Sequence, residues 1–188
     1  MVPPSNEFPK NPQRLTPYSN FRFKVKWADG TGKMVYVAGI SRVSDLSRST
    51  EVIEHREGGD PSVIHLAPGQ TEYSPITLER GVSYDPAFET WANKVFDYSN
   101  SQSQTGQNTL LGDFRKDLIL EVFNEAGQRV LAYNIYRAWV SEYSAISELD
   151  ANGSPALVLQ SLTVQNEGWE RDSSVAAEAE PNFGVPDS

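Results

Sequence analysis

The sequence predicts a mainly β protein: an antiparallel β-sandwich or barrel with one α-helix and a long hairpin or loop. Three observations carry this. Strict apolar/polar alternation runs along Phe21–Trp27, the period of a half-buried strand, and Leu118–Phe123 is a β-rich run with Leu118, Leu120 and Val122 on one face and Ile119 and Phe123 on the other. Glycine- and asparagine-rich turns follow these runs at Asp29-Gly30-Thr31-Gly32 and Asn124-Glu125-Ala126-Gly127, as hairpins require. A single 3.6-period stripe, Phe88, Trp91, Ala92 and Val95, marks one helix.

Residues 1–19 hold Pro3, Pro4, Pro9, Pro12 and Pro17. Proline blocks both helix and sheet ladders, so this segment reads as an extended N-terminal arm. The domain proper is expected over 20–171. Its first strand places Phe21, Phe23, Val25 and Trp27 on one face and Arg22, Lys24 and Lys26 on the other. The turn at Asp29–Gly32 returns the chain into a second strand over Lys33–Val43, with Gly39 as a bulge. Residues 44–74 are the least regular part. Thr50–His55 reads as a strand, Glu57-Gly58-Gly59-Asp60-Pro61 as a turn, and Val63–Leu66 as the returning strand. Few apolar residues support this hairpin, and a lone pair of strands is marginal in water, so packing on another body is expected to order it.

Pro75–Arg80 is a short strand with Ile76 and Leu78 inward. Asp85-Pro86 reads as a helix N-cap followed by proline at the first helical position. The helix is expected over 85–98, with Phe88, Trp91 and Val95 on its core face. Ser99–Asn108 is a polar low-complexity loop. Strands follow at Phe114–Phe123, Arg129–Tyr143 and Ala156–Trp169, the middle one dense in β-formers on both faces. Strands apolar on both faces need cover on both sides, which points to a second subunit. Residues 172–188 are small, acidic and proline-containing, the composition of a disordered tail.

The chain has 188 residues, with 16 Lys+Arg against 25 Asp+Glu, a formal net charge of −9. Asp172, Glu178, Glu180 and Asp187 carry part of that excess in a segment with no Lys or Arg. Gripping a phosphate backbone or an anionic membrane is therefore disfavoured, although an anionic polymer can still slide past. The absence of cysteine excludes disulfides, thiolate metal sites and Cys nucleophiles. No apolar run is long enough to span a bilayer, and the first residues lack the basic-then-apolar pattern of a signal peptide. Assembly in the cytoplasm without a membrane anchor is the expectation.

Candidate chemistry is sparse. The two histidines, His55 and His65, lack a third ligand, and no serine sits in a Gly-x-Ser-x-Gly elbow. The acid pairs Glu51/Glu54 and Asp117/Glu121 are expected on solvated strand faces. Gly58-Gly59 and Gly30-x-Gly32 lack the Gly-Lys-Ser/Thr of a phosphate loop. The aromatic and basic residues of Phe21–Trp27 invite comparison with a single-strand nucleic-acid face, but alternation separates them onto opposite faces. No catalytic constellation, metal site or cofactor site survives, and a non-enzyme is expected.

The segment Leu66-Ala67-Pro68-Gly69, Tyr73-x-x-Ile76-Thr77-Leu78-Glu79-Arg80-Gly81 and Asp85-x-x-Phe88-x-x-Trp91 resembles the inner tube proteins of contractile phage tails and of phage-tail-like extracellular contractile injection systems. Leu118–Asn124, Tyr133–Val140 and Glu167–Arg171 resemble that family's later strands in the same order. The resemblance implies a structural subunit, six of which form a ring whose sheets join around a lumen. Stacked rings form a tube inside a contractile sheath, bounded by baseplate and tube-terminating cap proteins. Cargo protein or DNA passes the lumen without tight binding. In that frame the 44–74 hairpin makes the inter-ring contact, with Glu51, Ile53, His55, Val63, Ile64 and Leu66 as its contact residues. Two other readings are a secreted hexameric ring or effector carrier of type VI secretion type, and a carbohydrate-binding β-sandwich using Trp91 or Trp139.

Overall fold

The computed structural model describes residues 18, 20–29, 31–55, 65–100, 114–149 and 157–175. The proline-rich arm, the turn at 57–61, most of the polar loop after the helix, the 151–155 loop and the tail beyond Val175 lie outside them. Ten strands and one helix follow in order: β1 Phe23–Ala28, β2 Met34–Tyr36, β3 Ile40–Val43, β4 Arg48–His55, β5 His65–Tyr73, β6 Ile76–Gly81, α1 Ala87–Asn100, β7 Lys116–Phe123, β8 Arg129–Ser144, β9 Leu159–Gln165 and β10 Trp169–Arg171. The mainly β, antiparallel fold class with one helix is borne out.

The sandwich is one folded sheet rather than two separate ones. Strand order is β2-β1-β7-β8-β9-β6-β3, with β10 also on β8. Strand β8 is 16 residues long and belongs to both layers. Its first part pairs with β7 as far as Ala138, and Trp139–Ser144 pairs with β9. The corner between them is Arg137, whose φ of 51° is uncommon for a residue with a Cβ. Asp117 Oδ1 accepts the Arg137 N–H at 2.8 Å, and Glu167 Oε2 meets its guanidinium at 3.1 Å, which holds the corner.

Three expectations need correction, two because alternation does not register where a strand breaks and one because it does not show where a strand starts. Lys33–Val43 is not one strand. Val35 pairs with Trp27 in the first layer, whereas Val43 pairs with Leu78 in the second. Gly39, at φ +77°, makes that crossing rather than a bulge within one strand. Ala156–Trp169 is likewise broken at Gly168, φ +147°, into β9 and β10. Phe21 precedes β1 in a turn and is 66% exposed, so it does not join the core face.

The core lies between the layers. Trp27, Ile76, Leu78, Leu118, Ile135, Val140, Leu162 and Val164 fill it from the strands, with Phe88 and Trp91 from α1. The Trp27 ring packs edge-on against Trp91 at 5.0 Å and tilted against Phe88 at 5.8 Å. The Trp91 indole N–H donates to the Phe114 carbonyl at 2.7 Å, satisfying its one polar atom. Val95 is only partly buried at the margin of this cluster.

The helix start is fixed by charge as well as by capping. Asp85 Oδ1 accepts from the Ala87 N–H at 3.0 Å, the N-cap bond expected from Asp85-Pro86. Arg80, 1% exposed, reaches inward from β6. Its guanidinium donates to Asp85 Oδ2 at 2.8 Å and to the Asp85 carbonyl at 2.5 Å, and stacks 4.1 Å over the Phe88 ring. With its amide oxygen turned toward that group, Gln160 accepts from Arg80 Nε at 2.7 Å. Burial alone would raise the Asp85 pKa, but the Ala87 N–H and Arg80 outweigh it and hold the carboxyl below its usual range. Arg80 continues the inward side of Ile76 and Leu78, a placement that the sequence reading did not make for it.

Candidate functional site: open edges, a bare hairpin and two polar faces

The second layer consists of β3, β6, β9 and the Trp139–Ser144 part of β8. Among the described residues, β3 has no strand beyond it, and Trp139–Ser144 has none on the side away from β9. Both edges of this four-stranded layer are therefore open, each presenting unpaired backbone groups. Its inner side is Ile76, Leu78, Val140, Leu162 and Val164. Alternation turns Thr77, Ser161, Thr163 and Gln165 outward, joined by Ser141 and Ser144. Ser141 Oγ donates to the Thr163 carbonyl and accepts from Gln165 Nε2, at 3.1 and 3.2 Å. Arg42 and Glu79, across β3 and β6, pair at 3.3 Å. Trp139, opposite Gln165, and the exposed Glu142, opposite Thr163, share this face, which is hydroxyl-rich and carries one acid beyond the Arg42–Glu79 pair.

Strands β4 and β5 form a separate two-stranded ribbon. Every residue of β4 is exposed. The returning strand begins at His65 and runs to Tyr73, longer than the expected Val63–Leu66, so Leu66–Gly69 is strand and not turn. A bulge between Thr50 and Val52 sets Glu51 opposite Gly69 and Gln70. A Cβ on Gly69 would lie 3.0 Å from the Ile53 side chain, so glycine is needed for that close approach. The register splits the expected contact set. Glu51, Ile53 and His55 share one face with Ala67 and Gly69, whereas Leu66 lies on the other beside Val52 and Pro68. Val63 and Ile64 lie outside the described residues. Val52, Ile53 and Leu66 are 61%, 49% and 68% exposed. Val52 was missed because a lone valine in a polar run carries no sequence signal.

The root of the ribbon is firm. Ser74 N–H donates to the Ser47 carbonyl at 3.0 Å, and Asn166 Nδ2 donates to the Ser74 carbonyl at 3.1 Å. Trp169 packs edge-to-face on Tyr73 at 6.4 Å, with Arg48 5.6 Å over its ring.

The outer face of the first layer holds a cluster that sequence reasoning placed wrongly. Glu121 was expected on a solvated face, yet it is 1% exposed. Lys26 Nζ donates to Oε1 at 2.9 Å, Arg129 Nη1 to Oε1 at 3.0 Å and Tyr36 OH to Oε2 at 3.1 Å. Burial opposes its charge, but Lys26 and Arg129 prevail and keep its pKa low. The hydrogen bond to Glu121 in turn raises Lys26. Asp117, its supposed partner, instead braces the β8 corner. Lys24 lies 5.2 Å over Tyr36 and 5.1 Å over Phe123. The basic face of β1 thus gains aromatic neighbours from other strands.

His55 and His65 are cross-strand partners at the described end of the ribbon, both exposed. Among the described residues, no three of His, Cys, Asp and Glu come together as a metal-binding group, and no helix is long and apolar enough to cross a membrane. Trp91 is fully buried, which removes it as a sugar platform.

The order of strands, the single helix and the long ribbon have a counterpart among known families. The model of the T4-like virus tail tube protein gp19 family matches residues 19–170. The chain belongs to that family. It is thus a tail tube protein, a component of a phage tail or phage-tail-like particle. Comparison with curated proteins found no match. Among solved structures, a chain of the 6-fold symmetrised baseplate of the anti-feeding prophage aligns at TM-score 0.66 and 22% identity, over 84% of this chain and 97% of that one. A chain of the extended sheath–tube complex of the PVC extracellular contractile injection system aligns at 0.60 and 24%, over 84% and 93%. One from the anti-feeding prophage tube-terminating cap aligns at 0.64 and 21%, over 92% and 99%. At these identities the likeness is one of fold.

Proposed function

We propose that this chain is the inner tube subunit of a contractile phage-tail-like injection system, a structural and not a catalytic protein. Six copies close into a ring, rings stack into a tube, and the tube carries cargo protein or DNA through a target envelope when the sheath contracts. Sheath, baseplate and cap proteins are its partners, and assembly takes place in the bacterial cytoplasm.

The observation that carries this reading is the four-stranded second layer with two open edges. Its strands alternate in direction. Rotating a copy about a ring axis preserves strand direction, and an even number of alternating strands makes β3 of one copy antiparallel to β8 of the next. Edge-to-edge pairing then repeats head to tail and closes only as a ring, which also removes both exposed edges. The hydroxyl-rich outer side of this layer becomes the lumen wall. Hydroxyls and a net acidic charge, Glu142 beyond the Arg42–Glu79 pair, give an anionic polymer little to grip. The ribbon β4–β5 projects to the neighbouring ring, where Val52, Ile53 and Leu66 find cover, with Glu51, His55, Val63 and Ile64 completing the contact.

Negative-stain electron microscopy of the purified protein tests this. Rings or hollow rods are expected; a protein that stays monomeric at every concentration overturns the proposal.

A further inference from the structure

The outer face of β1, β7 and β8 collects cations. Lys24, Lys26 and Arg129 stand around one buried carboxylate, Glu121, with Arg22 and Glu125 at the rim by the β7–β8 turn. Lys24 has no carboxylate partner among the described residues, and Arg22 donates to the Glu125 backbone carbonyl at 2.6 Å. Phe21 and Tyr36 add exposed aromatic surface, 66% and 55%. On an acidic protein this face is a local exception to the net charge.

The chain itself supplies the complement. Strand β10 runs antiparallel along β8, pairing Trp169 with Ile135 and Arg171 with Tyr133. Asp172 N–H then donates to the Ala132 carbonyl at 2.9 Å. The backbone therefore heads along β8 toward Arg129, and turns at Asp172–Ser174, where Asp172 Oδ1 accepts from Ser174 N–H at 2.9 Å. Beyond it the sequence reads Ala-Ala-Glu-Ala-Glu-Pro-Asn-Phe-Gly-Val-Pro-Asp-Ser over 176–188, with Glu178, Glu180 and Asp187 and no cation. We propose that this acidic segment docks on the basic, aromatic outer face of β1–β7–β8 of its own chain, Glu178 and Glu180 meeting Lys24 and Lys26 and Phe183 covering Phe21 and Tyr36.

Reach and charge both select this occupant. Glu178 is six residues past Asp172, up to about 20 Å of chain, and β1 lies three strand spacings from β10, across β8 and β7, about 14 Å. The proline-rich arm also starts near this end, but it carries Lys10 and Arg14 against Glu7 and so repeats the sign of the face. The inference does not depend on how copies assemble.

Zero-length carbodiimide cross-linking of the full chain, read by peptide mass spectrometry, tests it. In a parallel reaction, coupling of added glycine ethyl ester to Glu178 and Glu180 supplies the positive-control link. Links from Glu178 or Glu180 to Lys24 or Lys26 are expected in dilute buffer. They should fall about tenfold in about 1 M salt, where charges more than a few ångströms apart are screened, while the control link persists. In a mixture of light and ¹⁵N-labelled protein they should stay within one isotope. Links spread equally over Lys33 and Lys94 overturn the proposal, as do mixed-isotope links, which would assign the face to a second copy. Absence of tail links beside an intact control link overturns it too and leaves the face to another acidic partner.

Discussion

At the scale of single residues, two buried charges behave in opposite ways. Lys116 points inward at the end of β7, its Nζ 4.5 Å from the Trp27 ring centroid and 5.1 Å from that of Trp91. Burial, with a smaller push from Lys94 against a pull from Asp29, lowers its pKa from 10.5 to about 8. Because the folded value lies below the unfolded one, the ammonium destabilises the fold below about pH 8. That penalty fades as pH rises through 8 and is gone above the ordinary lysine range. Lys116→Met should therefore stabilise the protein by about 1–2 kcal/mol at pH 7, after discounting for solvent screening of a half-buried amine. Urea melts at several pH values check this: the gain should vanish near pH 10, and a gain independent of pH would show that packing, not charge, is responsible. Glu121 is the converse. Its folded pKa is depressed, so its stabilisation is complete above the usual glutamate range and is lost as pH falls through the folded value. Glu121→Gln strands Lys26 and Arg129 over a buried neutral group and should cost about 2–3 kcal/mol at neutral pH. The difference from the parent protein should shrink on acidification. Equal destabilisation at pH 3 and pH 7 would contradict the assignment.

At the scale of elements, the ribbon β4–β5 is fixed at its root and bare along its length. Its exposed valine, isoleucine and leucine contribute little to the isolated subunit, because they are as wet folded as unfolded. The double substitution Val52→Ser and Leu66→Ser should leave thermal stability of the subunit within about 0.5 kcal/mol while lengthening of rods stops at single rings. Full-length rods from that variant would remove the ribbon from the ring-to-ring contact. This element also marks where sequence reading reached its limit. The existence of the hairpin was legible from Thr50–His55 and the turn chemistry after it. Its register was not, because register is set by a bulge and by the approach of Gly69 to Ile53, neither of which leaves a periodic trace. Helix α1 was legible almost to the residue, since Asp85-Pro86 and the Phe88/Trp91 stripe act through local bonds. The ion cluster at Glu121 was not: its partners come from β1, β2 and β8, up to 95 residues away, and only pairing order brings them together. The Arg80 latch lies between these cases. The strand and the Asp85 cap were each read, but not the bond from Arg80 that joins them.

At the scale of the whole molecule, what matters is that the chain folds into two layers while leaving one of them unfinished. The first layer ends at β2, a strand of three residues, short enough to be a poor template for further pairing. The second ends at β3 and at Trp139–Ser144, with no strand beyond either among the described residues. The contrast makes the second layer the one built for continuation, and it localises the test to single backbone groups. Ser44 N–H donates to the Thr77 carbonyl at 2.9 Å. Along an antiparallel strand, inward and outward bonding alternates, so the N–H of the preceding residue, Val43, points to the open edge. Val43→Pro removes that donor and no bond within the subunit, and proline is tolerated on edge strands. The variant should melt as a folded subunit with the circular dichroism of the parent, yet sediment as a monomer. Rings that form normally from Val43→Pro would place the subunit junction elsewhere than on β3. Failure confined to ring closure, with the fold intact, would tie the open edge to the tube.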